Sequence, residues 1–206
     1  MRVNDKTSGF LRLDRRTLFG LLGAGVLQAA AQRNDRLTFP AGAVIRTVLK
    51  DLPPAELTGA TLFHEHINDT VDDVQLEMLA AAKELGVGCI VNAKSERPIN
   101  AANIRTISTR ANIHIVSCAG YYMEYAYPPA LAGKSEDQIA DEFTEEARRE
   151  RHGAFGEIGQ SPNTRELPPA ERKLFRAVGK AHLKTNLPIS RTTRTARAPT
   201  SLAKRA

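Results

Sequence analysis

The chain has 206 residues, enough for one domain with a sizeable core, and its formal net charge of +6 invites a nucleic-acid or anionic-membrane partner. The distribution of that charge excludes such a partner for the body of the chain: residues 1–31 carry +3 and residues 191–206 carry +5, leaving −2 between them. No phosphate-cradling glycine loop, zinc ribbon, heptad run, internal repeat or nucleotide fingerprint is present, so nucleotide- and nucleic-acid-dependent classes fall away.

At the N-terminus, Arg15 and Arg16 directly precede an apolar run from Leu18 to Ala31, which ends in the small residues Ala29 and Ala31. A basic region, about a dozen apolar residues and a small-residue end is the layout of a cleaved signal peptide, and the run is shorter than the ~20 residues of a membrane span. The arginine pair followed by Thr17, Leu18 and Phe19 resembles a twin-arginine export signal. The expectation is cleavage before Gln32 and delivery to the periplasm, with no stable membrane anchor afterwards. An amphipathic N-terminal helix is the alternative.

From residue 41 short apolar strands alternate with longer amphipathic segments. Residues 59–67 (GATLFHEHI) read as a strand. Residues 71–86 read as a helix, with Val71, Val74, Leu76, Met78, Leu79 and Leu85 on a helical period and Gly86 as its stop. Strands follow at 87–93, 113–122 and 153–159, and one begins at 187–190. Helices are expected at 99–112, at 135–150 behind a Ser135 cap, and at 168–186 behind prolines. This alternation predicts βαβ units and a parallel sheet. By itself it does not separate a barrel from a doubly wound open sheet.

A strand has a side-chain period of two, so His64 and His66 share a face and Glu65 takes the other. Such a pair on the inner face of a barrel can give one metal ion two imidazole ligands. Two ordinary histidines at a strand end fit the spacing equally well.

Several stretches together resemble the phosphotriesterase-like family of the amidohydrolase superfamily. TLFHEHI (61–67) is similar to the family's first barrel strand, and RTVLKDLPPAEL (46–57) lies where the family has a short hairpin. IHIVSCAGYY (113–122) is similar to the third strand. GAFGEIG (153–159) is similar to the fourth strand of the branch that bridges its metals with glutamate, and LPIS (187–190) resembles the approach to the fifth. IVNAKSERPIN (90–100) departs from the Asp/Thr- and Gly-rich run usual at the second strand. The resemblance spans about residues 44 to 190.

It implies an α/β fold, a partial (β/α)8 TIM barrel holding the first four to five βα units. It also implies a hydrolase in which two divalent cations, usually zinc, activate water for attack on a phosphotriester or lactone. Carried over by position, His64 and His66 are ligands of one metal and Glu157 is the bridging carboxylate; a glutamate in a Gly-rich turn without a catalytic task is the plainer reading. Tyr121 and Tyr122 fall near the mouth of the site, as substrate contacts or as an aromatic cap on the rim. No catalytic side chain is implied beyond the water that the metals ionise. The partner is a small ester or lactone, and a homodimer is compatible with the family.

The resemblance also implies histidines from the fifth and sixth strands and an aspartate from the eighth, and no residue here matches them. A complete barrel takes about 250 residues, whereas residues 32–190 supply 159. Residues 191–206 (RTTRTARAPTSLAKRA) lack acidic residues and strand alternation. They read as a basic disordered tail made by a frameshift: Thr-His encoded ACG-CAC, read one nucleotide late, begins Arg-Thr, as Arg191 and Thr192 do. A genuine basic tail for an anionic partner is the competing reading, and the DNA beyond codon 190 decides between them.

His114, His152 and His182 read as packing or surface histidines. Cys89 and Cys118 read as core thiols, with a disulfide conceivable after export. Three functions stay open: an exported metal-dependent hydrolase, a non-catalytic half-barrel with an open sheet edge prone to aggregate, and a binding module recruited by its basic tail.

Overall fold

The computed structural model describes residues 38–94, 99–161 and 166–192. The chain divides into two compact units, 1–40 and 41–206, and the fold below is that of the second. The expected export signal and the tail from residue 193 lie outside the described residues.

The unit opens with an antiparallel hairpin, β1 (Ile45–Arg46) and β2 (Asp51–Leu52), where the sequence placed one. A regular alternation follows: β3 (Ala60–Glu65), α1 (Asp73–Glu84), β4 (Val87–Asn92), α2 (Ala101–Arg110), β5 (His114–Ala119), α3 (Glu136–Glu150), β6 (Ala154–Gly159), α4 (Pro169–Thr185) and β7 (Ile189–Thr192). β7 therefore runs two residues past the expected boundary at Ser190. Three of the four α-helices begin at a side-chain cap, and α4 begins behind Pro168 with Pro169 in its first turn. Asp72 accepts from the Gln75 amide before α1, and Asn100 from the Asn103 amide before α2. Ser135 and Gln138 form a reciprocal capping box before α3.

The five strands pair in parallel in the order β3-β4-β5-β6-β7. Sequential order decides what alternation alone left open. A doubly wound sheet reverses direction at a switch point, whereas a barrel adds each strand beside the last. The fold is α/β, a half-barrel of five parallel strands with helices outside.

Two apolar clusters fill the space between sheet and helices. One joins Leu76, Leu79, Ile90, Ile104, Ile107 and Ile115; the other joins Phe143, Phe155, Ile158, Leu174 and Val178. Full burial of such side chains contributes about 1.5–3 kcal/mol each. In α1 only Leu76 and Leu79 of the expected apolar set are buried, while Val74, Met78 and Leu85 are exposed. α1 lies at the β3 end of the sheet, so one of its apolar faces has no described neighbour.

The inner face of the sheet is concave. A cavity of about 820 Å³ there is lined by Thr61, Phe63, His64, Cys89, Val91 and Val116, among others.

Candidate metal centre

The site is built where two strands each carry one residue too many. β3 pairs Leu62 with Ile90 but Glu65 with Asn92, so an extra residue bulges between them. Leu62 packs against the outer cluster, while Phe63 and His64 both line the cavity. The bulge breaks alternation there and brings the histidine pair to the inner side. β6 repeats the device, pairing Phe155 with Ile189 but Ile158 with Arg191. Phe155 and Ile158 both enter the outer cluster, so Glu157 turns away from them. Gly156 permits this: its φ is +147°, and a Cβ there would stand 2.6 Å from the Ser190 carbonyl oxygen.

The two bulges bring three donors together. Nε2 of His64 lies 3.6 Å from Oε1 of Glu157, and Nε2 of His66 lies 3.1 Å from Oε2. The imidazoles stack with centroids 5.3 Å apart. All three donor atoms fall within 4.8 Å of one another. Donors sharing one tetrahedral ion at about 2.1 Å stand about 3.4 Å apart, so this donor set fits a divalent cation, zinc included. Burial adds to the fit. Glu157 is 4 % exposed, and a carboxylate so placed needs a cationic partner. The histidine side chains are 45 % and 52 % exposed. Cys118 also feels this carboxylate: burial, and then Glu157, push its thiol up to about 12.

The tyrosines separate. Tyr121 turns into the core, its ring 5.6 Å from Phe143 and 6.1 Å from Tyr127. Tyr122 lies against Gly159, where a Cβ would meet its ring at 2.6 Å, and its carbonyl accepts the Gly159 amide at 2.6 Å. Exposed Tyr125, which the sequence reading passed over, meets Tyr122 edge-on at 6.4 Å.

Two of the three remaining histidines are bonded within the fold. His152 is buried with Nδ1 3.0 Å from Ser117 Oγ, and its Nε2 stands 3.5 Å from Glu146 without forming a hydrogen bond. His182 Nδ1 lies 2.7 Å from the Leu187 carbonyl oxygen. Cys89 and Cys118 are free and buried. Cys89 pairs in register with His114, so Cys118 lies four residues further on, about 13 Å at ~3.3 Å per residue and too far for a disulfide.

Two anchoring residues were also missed. Asn92, at the end of β4, bonds the backbone of Ile67. Buried Glu171, in the first turn of α4, accepts from Ser161 and from the Glu124 amide, tying the loops after β5 and β6 together. Signals for them were faint: a polar residue in an apolar strand, and an acid in a helix's first turn.

Parallel βα units wound in sequential order, with a strand-borne imidazole pair facing a buried carboxylate, define the class as a TIM-barrel fold with a metal-type donor cluster on its inner face. The family model of the phosphotriesterase family matches residues 43–204, and the chain belongs to that family. It is 28 % identical over 153 residues to the phosphotriesterase homology protein of Escherichia coli (strain K12), covering 65 % of this chain and 52 % of that relative. The crystal structure of the phosphotriesterase homology protein from Escherichia coli, complexed with phosphate in the active site, superposes with a TM-score of 0.62. Identity there is 26 %, over 68 % of this chain and 54 % of that one. A lactonase from Listeria monocytogenes shares the fold with a TM-score of 0.60 at 23 % identity, over 73 % and 57 % of the two chains. The chain thus spans about half the length of the relatives it matches.

Proposed function

We propose that His64, His66 and Glu157 hold a divalent cation, and that they form part of a binuclear hydrolase site for phosphotriesters or lactones. The observation that carries this reading is the convergence of two imidazoles on one buried carboxylate through two separate bulges. Nitrogen and carboxylate donors in this ratio suit zinc. A second ion needs donors beyond these three.

A cation held there supplies Lewis-acid polarisation of a phosphoryl or carbonyl oxygen and ionises water near neutral pH. The chain's own residues do the rest. His64 and His66 present Nε2 lone pairs from the solvent-accessible side, and Glu157 supplies negative charge from the buried side. Tyr122 and Tyr125 offer an aromatic wall past the end of β5. Phe63, Val91 and Val116 line the cavity beside His64 with apolar surface. We also read residues 1–31 as a twin-arginine signal for export to the periplasm.

One observation favours a second reading, a non-catalytic half-barrel that keeps metal binding: among the described residues only His64, His66 and Glu157 gather as donors, too few for two ions. The purified full chain, dialysed against zinc and then assayed on paraoxon and a lactone series, tests both. Stoichiometric zinc with turnover that is lost in His64→Ala supports the hydrolase. Stoichiometric zinc without turnover supports the second reading. Zinc-free protein after dialysis contradicts both.

A further inference from the structure

The end of β4 does more than close a strand. Asn92 is 2 % exposed in a position where the rest of the strand is apolar. Its Oδ1 accepts the Ile67 amide at 3.0 Å and the Lys94 amide at 3.3 Å, and its Nδ2 donates to the Ile67 carbonyl at 3.4 Å. One side chain therefore satisfies both backbone groups of the residue that follows His66. The last ladder pair between the two strands is Glu65 with Asn92, so His66 lies just past the point where backbone pairing holds β3. The carboxamide acts there as a surrogate strand, one acceptor and one donor extending the ladder by a residue.

The next residue completes the arrangement. The Ala93 amide donates to the Glu65 carbonyl at 2.8 Å, and the Ala93 carbonyl accepts the Glu157 amide at 3.1 Å. β4 and β6 are not neighbours in the sheet, since β5 lies between them. The Asn92-Ala93 pair thus bonds the residue before His66, the residue after it, and Glu157 itself.

Resting on the metal-site reading above, we propose that Asn92 is a positioning residue for the metal centre, holding His66 at its distance and angle to Glu157. Hydrophobic packing alone would favour an apolar residue at this buried strand position. A buried carboxamide is tolerated when its oxygen and nitrogen both find partners, and here Oδ1 accepts twice and Nδ2 donates once. Outer-shell partners of metal ligands carry about 10–100-fold of metal affinity when removed.

The test uses the full chain, zinc titrated against a competing chelator, and cobalt as a spectroscopic probe. Asn92→Ala removes the three hydrogen bonds. Ser108→Ala is the control, because its hydroxyl is also buried and donates to the Ile113 carbonyl at 2.7 Å, on α2. Both variants should lower the thermal midpoint. Only Asn92→Ala should weaken zinc binding, by about 10–100-fold, and move the cobalt d–d bands. Should Asn92→Ala fail to fold, Asn92→Asp keeps the acceptor oxygen but loses the donor, and should shift the bands the same way by less. Wild-type affinity and an unchanged cobalt spectrum in the Asn92 variants would overturn the proposal while leaving the metal site standing. A wild-type chain that binds no zinc would instead bring down the underlying reading, and this proposal with it.

Discussion

Glu157 is nearly sealed from solvent, and among the described residues its carboxylate pairs with the two histidine side chains, at 3.1 and 3.6 Å. A desolvated carboxylate costs free energy unless a bound cation offsets it. Function and stability therefore pull against each other at this residue. Glu157→Gln, which keeps the shape and removes the charge, is expected to raise the thermal midpoint of the metal-free protein and to abolish stoichiometric zinc binding. A lower midpoint with zinc retained would show the carboxylate to be a packing element. The thiols give a separate, pH-dependent expectation. Burial lifts Cys89 from 9.0 to about 11, and burial with Glu157 lifts Cys118 to about 12. Folding favours the neutral thiols, so their contribution is fully present below pH 9 and is lost as pH rises toward 11 and 12. Urea unfolding in reductant should show stability falling more steeply with alkaline pH in the wild type than in a Cys89→Ala/Cys118→Ala variant. Parallel profiles would refute this.

At the scale of elements, the bulges in β3 and β6 decide which side chains face inward. Gly156 is the position on which the β6 bulge turns. Its positive φ and the 2.6 Å approach to Ser190 leave no room for a methyl group. Gly156→Ala is expected to destabilise the fold by about 1–3 kcal/mol, read as a drop in urea midpoint, and to weaken zinc binding as Glu157 shifts. Unchanged zinc affinity would mean that the bulge does not aim Glu157. These elements also show how much was legible in the sequence. Apolar periodicity and capping residues placed the five sheet strands and four α-helices to within a few residues, because those signals are local, whereas the hairpin came from resemblance. The shared face of His64 and His66 followed from strand periodicity, and Glu157 from resemblance. The bulges were hidden, since register depends on the neighbouring strand, although Gly156 inside an apolar strand was a hint. Tyr121 and Tyr122, adjacent at a strand's end, carried no local cue to which would turn into the core. Asn92 and Glu171 were equally hard to read, because their partners lie 25 and 10 or more residues away.

At the scale of the whole molecule, the half-barrel leaves two strands with a single partner each among the described residues, β3 and β7. Phe63 is 75 % exposed on the first, and Ile189 is 41 % exposed on the second. Parallel edges with one described partner each, next to apolar side chains, favour association. Sedimentation velocity on the purified chain should show a sedimentation coefficient that rises with protein concentration. A single concentration-independent monomer boundary would contradict this. The chain belongs to the phosphotriesterase family across most of its length, and the claim on which the functional reading depends is that His64, His66 and Glu157 together bind a cation. X-ray absorption at the zinc edge of the zinc-loaded chain tests it most directly. The expected spectrum has two imidazole nitrogens and a carboxylate oxygen at about 2.0–2.2 Å, with the imidazole signature lost in a His64→Ala/His66→Ala variant. Sulfur neighbours at about 2.3 Å, or an imidazole signature that survives in that variant, would contradict it.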